Sequence, residues 1–149
     1  MMFKKAVWTV TIAVALLAGT HLQASDAMKA IVGSYLDIQA KLAADKTDGV
    51  KASAGAIGEQ AARMGASGEA IVTSAKAVAD AADLRATRLA FGDLSDAVIA
   101  AGKAEGWKDT PEVKVAYCPM VKKSWLQKES EIRNPYYGSA MLTCGSFTK

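Results

Sequence analysis

Two short segments near the C-terminus carry sulfur in mirrored order: Cys118-Pro119-Met120, then Met141-Leu142-Thr143-Cys144. Cys118 and Met120 are two apart, so on an extended segment their side chains share a face. Met141 and Cys144 are three apart, close enough to converge in a turn. Two such segments paired antiparallel would gather all four sulfurs. Thiolate and thioether donors select soft ions, Cu(I) and by extension Ag(I). Zinc fits less well, since it takes Cys, His or carboxylate and makes no use of methionine. An iron–sulfur cluster asks for four cysteines where the chain has two, and the Cys-x-x-Cys of a thioredoxin-like site is absent. The same pair also suits a structural disulfide, Cys118–Cys144, closing a loop worth ~3 kcal/mol, with Met120 and Met141 as apolar filler. On residue types and spacing alone, both readings stand.

The compartment bears on that choice. Met1-Met-Phe-Lys-Lys5 is a short basic start, Ala6 to Ala18 is apolar or small apart from two threonines, and Thr20 to Ala24 turns polar and ends on a small residue. This is the order of a secretory signal peptide, expected over residues 1–24. The apolar run is shorter than the ~20 residues a spanning helix needs, and no second stretch is long enough. The expectation is an exported chain with no membrane span after cleavage, in a compartment where paired cysteines oxidise readily. Loss of Lys4 and Lys5 leaves 16 basic against 15 acidic residues. Nucleic-acid binding thus lacks the clustered positive charge that phosphate contacts require. The single histidine, His21, leaves with the signal. Without it there is no Ser/His or Cys/His nucleophile and no histidine metal ligand, so a non-enzymatic role is expected.

The elements that must position the sulfurs follow from periodicity. Ile31, Tyr35, Ile38 and Leu42 form one helical stripe. Asp45-Lys-Thr-Asp-Gly49 breaks it, and Val50, Ala54, Ile57, Ala61 and Met64 form a second. Ser67 is placed to cap a third helix burying Ile71, Ala75, Val78 and Ala82. A fourth begins near Asp83, buries Leu84, Phe91, Leu94 and Val98, and ends at Gly102 to Gly106. Arg85, Arg88, Asp80 and Asp83 read as a solvated face. The pattern predicts a mainly α fold, an up-down four-helix bundle over residues 25–106. After Gly106 the texture changes. Trp107, Tyr117, Trp125, Tyr136, Tyr137 and Phe147 and all three prolines lie here. Residues 107–149 are expected to form a loop-rich cap packed on the bundle within one domain, with the tryptophans as its own small core. Val113 to Tyr117 alternates as a short strand, Met141 to Phe147 is a candidate second one, and Asn134-Pro135 favours an Asx-type turn.

The cap also carries a resemblance. Tyr117-Cys-Pro-Met120, Trp125-Leu-Gln127, Glu131-Ile-Arg-Asn-Pro-Tyr-Tyr-Gly138 and Met141-Leu-Thr-Cys-Gly145 resemble the signature of a bacterial exported domain family of unknown function. That family is also found fused to the periplasmic adaptor subunits of copper/silver efflux systems. Tyr35-Leu36, Leu42, Asp45 and Arg88-Leu-Ala-Phe-Gly-Asp-Leu-Ser95 are similar to its helical half. The loop Val121-Lys-Lys-Ser124 is shorter than the glycine-containing one usual there. The resemblance implies a periplasmic heavy-metal-handling domain. Its ligands would be Cys118, Met120, Met141 and Cys144, with Trp125, Asn134, Pro135, Tyr136, Tyr137 and Gly138 as the supporting shell. A heavy-metal efflux adaptor or another periplasmic metal carrier would be the partner. The alternative is a non-metal interaction module stapled by Cys118–Cys144, docking through Tyr136 and Tyr137.

Overall fold

The computed structural model describes residues 9–107, 110 and 112–148, with side chains from residue 24 onward. The start of the expected signal segment, residues 1–8, lies outside the described residues. Four helices come first: α1 (Thr9–Ala43), α2 (Val50–Ala62), α3 (Glu69–Asp80) and α4 (Leu84–Glu105). Three short strands follow: β1 (Lys114–Cys118), β2 (Lys123–Gln127) and β3 (Ser146–Phe147). The fold is the expected helical bundle with a small C-terminal cap. Each helix packs on the next in sequence, and α1 also meets α4. No helix among the described residues is long and apolar enough to cross a membrane.

The stripes fold as their periodicity requires. Ile31, Tyr35, Ile38 and Leu42 on α1, and Val50, Ala54, Ile57 and Ala61 on α2, are buried. So are Ile71, Ala75 and Val78 on α3 and Phe91, Leu94 and Val98 on α4. Helix α3 stops at Asp80, which leaves Ala82 exposed in the connection rather than on the buried face. Ser67 does not cap it. The preceding turn tightens into a 3-10 segment, Gly65–Gly68, where the Ser67 hydroxyl donates back to the Met64 carbonyl and Gly68 takes the cap position. Asp83 does cap α4, accepting from the Ala86 N–H at 2.8 Å, as a short side-chain acceptor at that position should.

The cap departs from expectation in two places. A strand not read from the sequence, β2, pairs antiparallel with β1, Ala116 opposite Trp125. The expected strand over Met141 to Phe147 shrinks to Ser146–Phe147, pairing with β1 on its other edge with Tyr117 opposite Ser146. The sheet order is therefore β2-β1-β3. Nor do the tryptophans form a separate core. Trp125 and Leu126, fully buried, join Tyr35, Phe91 and Tyr136 in one apolar cluster continuous with the bundle. Tyr35 stacks on Phe91 at 4.8 Å between centroids, Phe91 lies 6.2 Å from Tyr136, and Tyr136 meets Trp125 edge-on at 5.9 Å. This aromatic chain runs from α1 through α4 into the cap, with a packing preference beyond simple area burial.

Candidate functional site: a thiol pair at the joint of cap and bundle

The antiparallel pairing of β1 with β3 brings the two cysteine-bearing segments side by side. Cys118 ends β1 and is fully buried, while Cys144 is half-buried two residues before β3. Their sulfurs are in hydrogen-bonding contact, and both are free thiols. The disulfide allowed by the sequence is thus not formed here. The methionines are placed differently. Strand β1 stops at Cys118, and the chain turns at once through Pro119–Lys122, so Met120 does not share a face with Cys118. Its side chain is 62% exposed, and that of Met141 is 38% exposed. The structure gathers the thiols and leaves the thioethers at the surface of the turns flanking them. Among the described residues no group of three or more His, Cys, Asp or Glu side chains could hold a metal ion.

The electrostatics of the pair are set by what surrounds it. Burial pushes the Cys118 thiol up, but the Val121 N–H, the Asn134 amide, the Met120 N–H and the Cys144 thiol all point at its sulfur. Together they outweigh burial and hold Cys118 below the ordinary thiol range, since donors to the charged form favour it. Cys144 moves the other way, raised by burial and by the neighbouring Cys118 sulfur to which it donates. The pair therefore gives up its first proton more readily than a free cysteine and its second less readily, as coupled groups do.

Asn134 organises this arrangement. It is fully buried. Its amide nitrogen donates to the Cys144 carbonyl at 2.7 Å and to the Cys118 sulfur. Its Oδ1 accepts from the Tyr136 N–H at 2.8 Å and the Tyr137 N–H at 3.3 Å, closing the Asx turn its sequence context predicts. Its own N–H donates to the Leu142 carbonyl at 2.7 Å. One residue thus ties both ends of the 134–144 loop to both cysteines. Gly145 lets the chain return to β3. Its φ is +136, and a Cβ there would sit 2.8 Å from the Trp125 ring and 2.9 Å from the Tyr117 carbonyl.

Compared with known proteins, the chain matches no family model, no curated protein and no solved structure.

The remaining shell residues anchor the loop to the bundle. Tyr136 is buried, with its hydroxyl donating to the Ser124 carbonyl at 2.5 Å, and Tyr137 is half-buried. Of the two tyrosines expected to dock a partner in a stapled module, Tyr136 is thus covered and Tyr137 partly exposed. Pro135 and Gly138 are buried. Periodicity misassigned Arg88 to a solvated face, whereas its guanidinium reaches across to the cap. Nε donates to the Pro135 carbonyl at 2.9 Å, and a terminal nitrogen donates to the Leu42 carbonyl at 2.8 Å and to Asp45 at 2.5 Å. Asp45 in turn accepts from the Ser139 N–H at 3.2 Å. These contacts, first with Ser139 and then with Arg88, hold its carboxyl below the usual range. Gly138, at φ +56, fits only because it lacks a side chain: a Cβ would lie 2.0 Å from Asp45 and 2.1 Å from Arg88. Residue types also gave no sign of two buried amides. Gln39 donates to the Arg133 carbonyl at 2.7 Å. Gln127 donates to the Glu131 carbonyl at 2.7 Å and accepts from Trp125 Nε1 at 2.9 Å.

Proposed function

We propose that this chain is an exported periplasmic protein that binds or handles Cu(I) or Ag(I) in connection with metal efflux or resistance. Cys118 and Cys144 are the thiolate ligands, and Met120 and Met141 the thioether donors. The observation that supports this most is the contact of two free thiols, one of them biased toward thiolate. A thiolate is the form that ligates a soft ion. The exposed methionines add weaker soft donors where an ion enters or leaves. The role is binding rather than catalysis, and the partner is a heavy-metal efflux adaptor or another periplasmic metal carrier.

The test is a Cu(I) competition titration of the reduced protein against a chromophoric chelator. One Cu(I) per monomer is expected, with binding abolished in the Cys118→Ser/Cys144→Ser variant. Leucine at positions 120 and 141 should weaken binding without abolishing it. Full-strength binding by the double serine variant refutes the assignment.

A further inference from the structure

A second site lies beside the thiols. The first turns of α4, the β1–β2 turn and Tyr136 enclose a half-open cleft of about 430 Å³. Its apolar wall is Leu84, Leu89, Val121 and the Tyr136 ring. Leu89, 79% exposed, stands at the mouth of the cleft beside the half-buried Leu84. The charged side chains lining the cleft are Arg85, Arg88 and Lys123, all cationic and with no carboxylate among them. Two of the three are already engaged: Arg88 by Asp45 and two carbonyls, Lys123 by Asp93 and Asp96. Arg85 has no hydrogen-bond or ion-pair partner among the described residues.

We propose that this cleft binds a small amphiphilic anion, with its apolar body against Leu84, Leu89, Val121 and Tyr136 and its single anionic head on Arg85. The volume is that of a one-ligand pocket, which typically spans ~300–1,000 Å³ and combines apolar walls with few polar groups. One unpaired guanidinium matches one carboxylate or sulfonate head, an interaction strengthened by charge on both sides. The site is independent of the metal assignment, but Val121 joins the two, lining the cleft while its N–H donates to the Cys118 sulfur.

The purified reduced protein is titrated with the fluorescent amphiphilic anion 1-anilinonaphthalene-8-sulfonate, then with decanoate as competitor. Saturable binding displaced by decanoate, and displaced about tenfold less well by neutral decanol, is expected. Arg85→Glu should weaken decanoate binding by about tenfold or more, since loss of one charge-assisted contact is of that order, and Leu89→Gln should weaken it by removing an apolar contact. Both positions are exposed, so unchanged helical circular dichroism shows that the variants fold. Three results overturn the proposal: decanoate binding insensitive to Arg85→Glu, co-sedimentation with phosphatidylglycerol vesicles without binding of free decanoate, or concentration-dependent dimerisation abolished by Leu89→Gln with no decanoate binding. The second assigns the cleft to a membrane surface and the third to another copy of the chain.

Discussion

Replacing Asn134 by alanine removes four hydrogen bonds at once from a residue with no exposed surface. The Tyr136 N–H, itself in a buried residue, loses its 2.8 Å acceptor, and the Cys144 carbonyl loses its 2.7 Å donor. A buried polar group left unpaired costs ~1–3 kcal/mol. Two such groups, partly rehydrated through the space left by the side chain, give an expected loss of about 3–4 kcal/mol. That is a large part of the ~5–15 kcal/mol that holds a domain folded. The same change withdraws one donor from the Cys118 sulfur, so burial, the largest single influence on that thiol, weighs more and its pKa rises. Asn134→Asp also loses the donor to the Cys144 carbonyl and destabilises, but it acts more strongly on the thiol. It keeps the acceptors for the Tyr136 and Tyr137 N–H groups but sets a carboxylate where the amide had faced Cys118, and like charges disfavour ionisation. Urea unfolding followed by tryptophan fluorescence reads stability, and the pH profile of iodoacetamide alkylation reads the thiolate. The profile should move to higher pH in alanine and further in aspartate. The reasoning is refuted if Asn134→Ala costs less than about 1 kcal/mol with an unmoved profile, or if the aspartate variant shifts it to lower pH.

Three further outcomes follow from the same contacts. Gly138→Ala should destabilise by about 1–2 kcal/mol from left-handed backbone strain alone, and by more because its Cβ meets Asp45 and Arg88; a urea midpoint reads the total. Tyr35→Phe should cost about 1–3 kcal/mol, since the buried hydroxyl accepts from the Leu126 N–H at 3.2 Å and shares a 2.6 Å hydrogen bond with Ser95; thermal unfolding checks it. Stability should also vary with pH in a defined sense. Cys118 is lowered in the fold, so its contribution is full above the unfolded thiol value of ~8.5 and fades as pH falls through the folded one. Cys144 is raised, so stability declines again as pH climbs from that unfolded value toward the folded one. A crest near the ordinary thiol range is expected, absent from the double serine variant, in unfolding measured across neutral to alkaline pH.

The bundle was legible because its apolar residues recur at helical spacing and only one face of each helix is covered. The cap was harder for reasons that can be located. In β2 the run Trp125, Leu126, Gln127 is buried without a break, because α4 and α1 pack on the strand and Tyr136 of the 134–144 loop packs on Trp125 as well. A strand covered on both faces has no alternation to read. Arg88 sits among charged residues on α4 and looks like solvated surface, yet its partners are two carbonyls and a carboxylate brought from other elements. No spacing along one helix encodes that. The cysteine pairing was anticipated by the antiparallel arrangement, but the methionines were not, because Pro119 ends the strand before Met120 can share its face.

The donors that stabilise the Cys118 thiolate are two backbone N–H groups of a tight turn, an amide from a residue sixteen positions further on, and the thiol of Cys144. None of these is assembled in an unfolded chain, where Cys118 and Cys144 are two ordinary thiols on a long flexible loop. The lowering of the Cys118 thiol therefore belongs to the closed cap, which is held on the helices by the shared apolar core and by hydrogen bonds from Arg88, Gln39 and Tyr35. An ion that bound the Cys118 thiolate would meet a sulfur that loses its proton more readily in the folded chain than in the unfolded one, so its binding would be linked to folding in both directions. On the proposed function, a soft ion should raise the unfolding midpoint of the reduced protein, and substitution of Asn134, which donates to the Cys118 sulfur, or of Arg88, which does not, should weaken its binding. On the proposed function, the residues that bear on metal binding would therefore include Arg88 on α4, which holds the cap through the Pro135 carbonyl and Asp45 rather than through either cysteine.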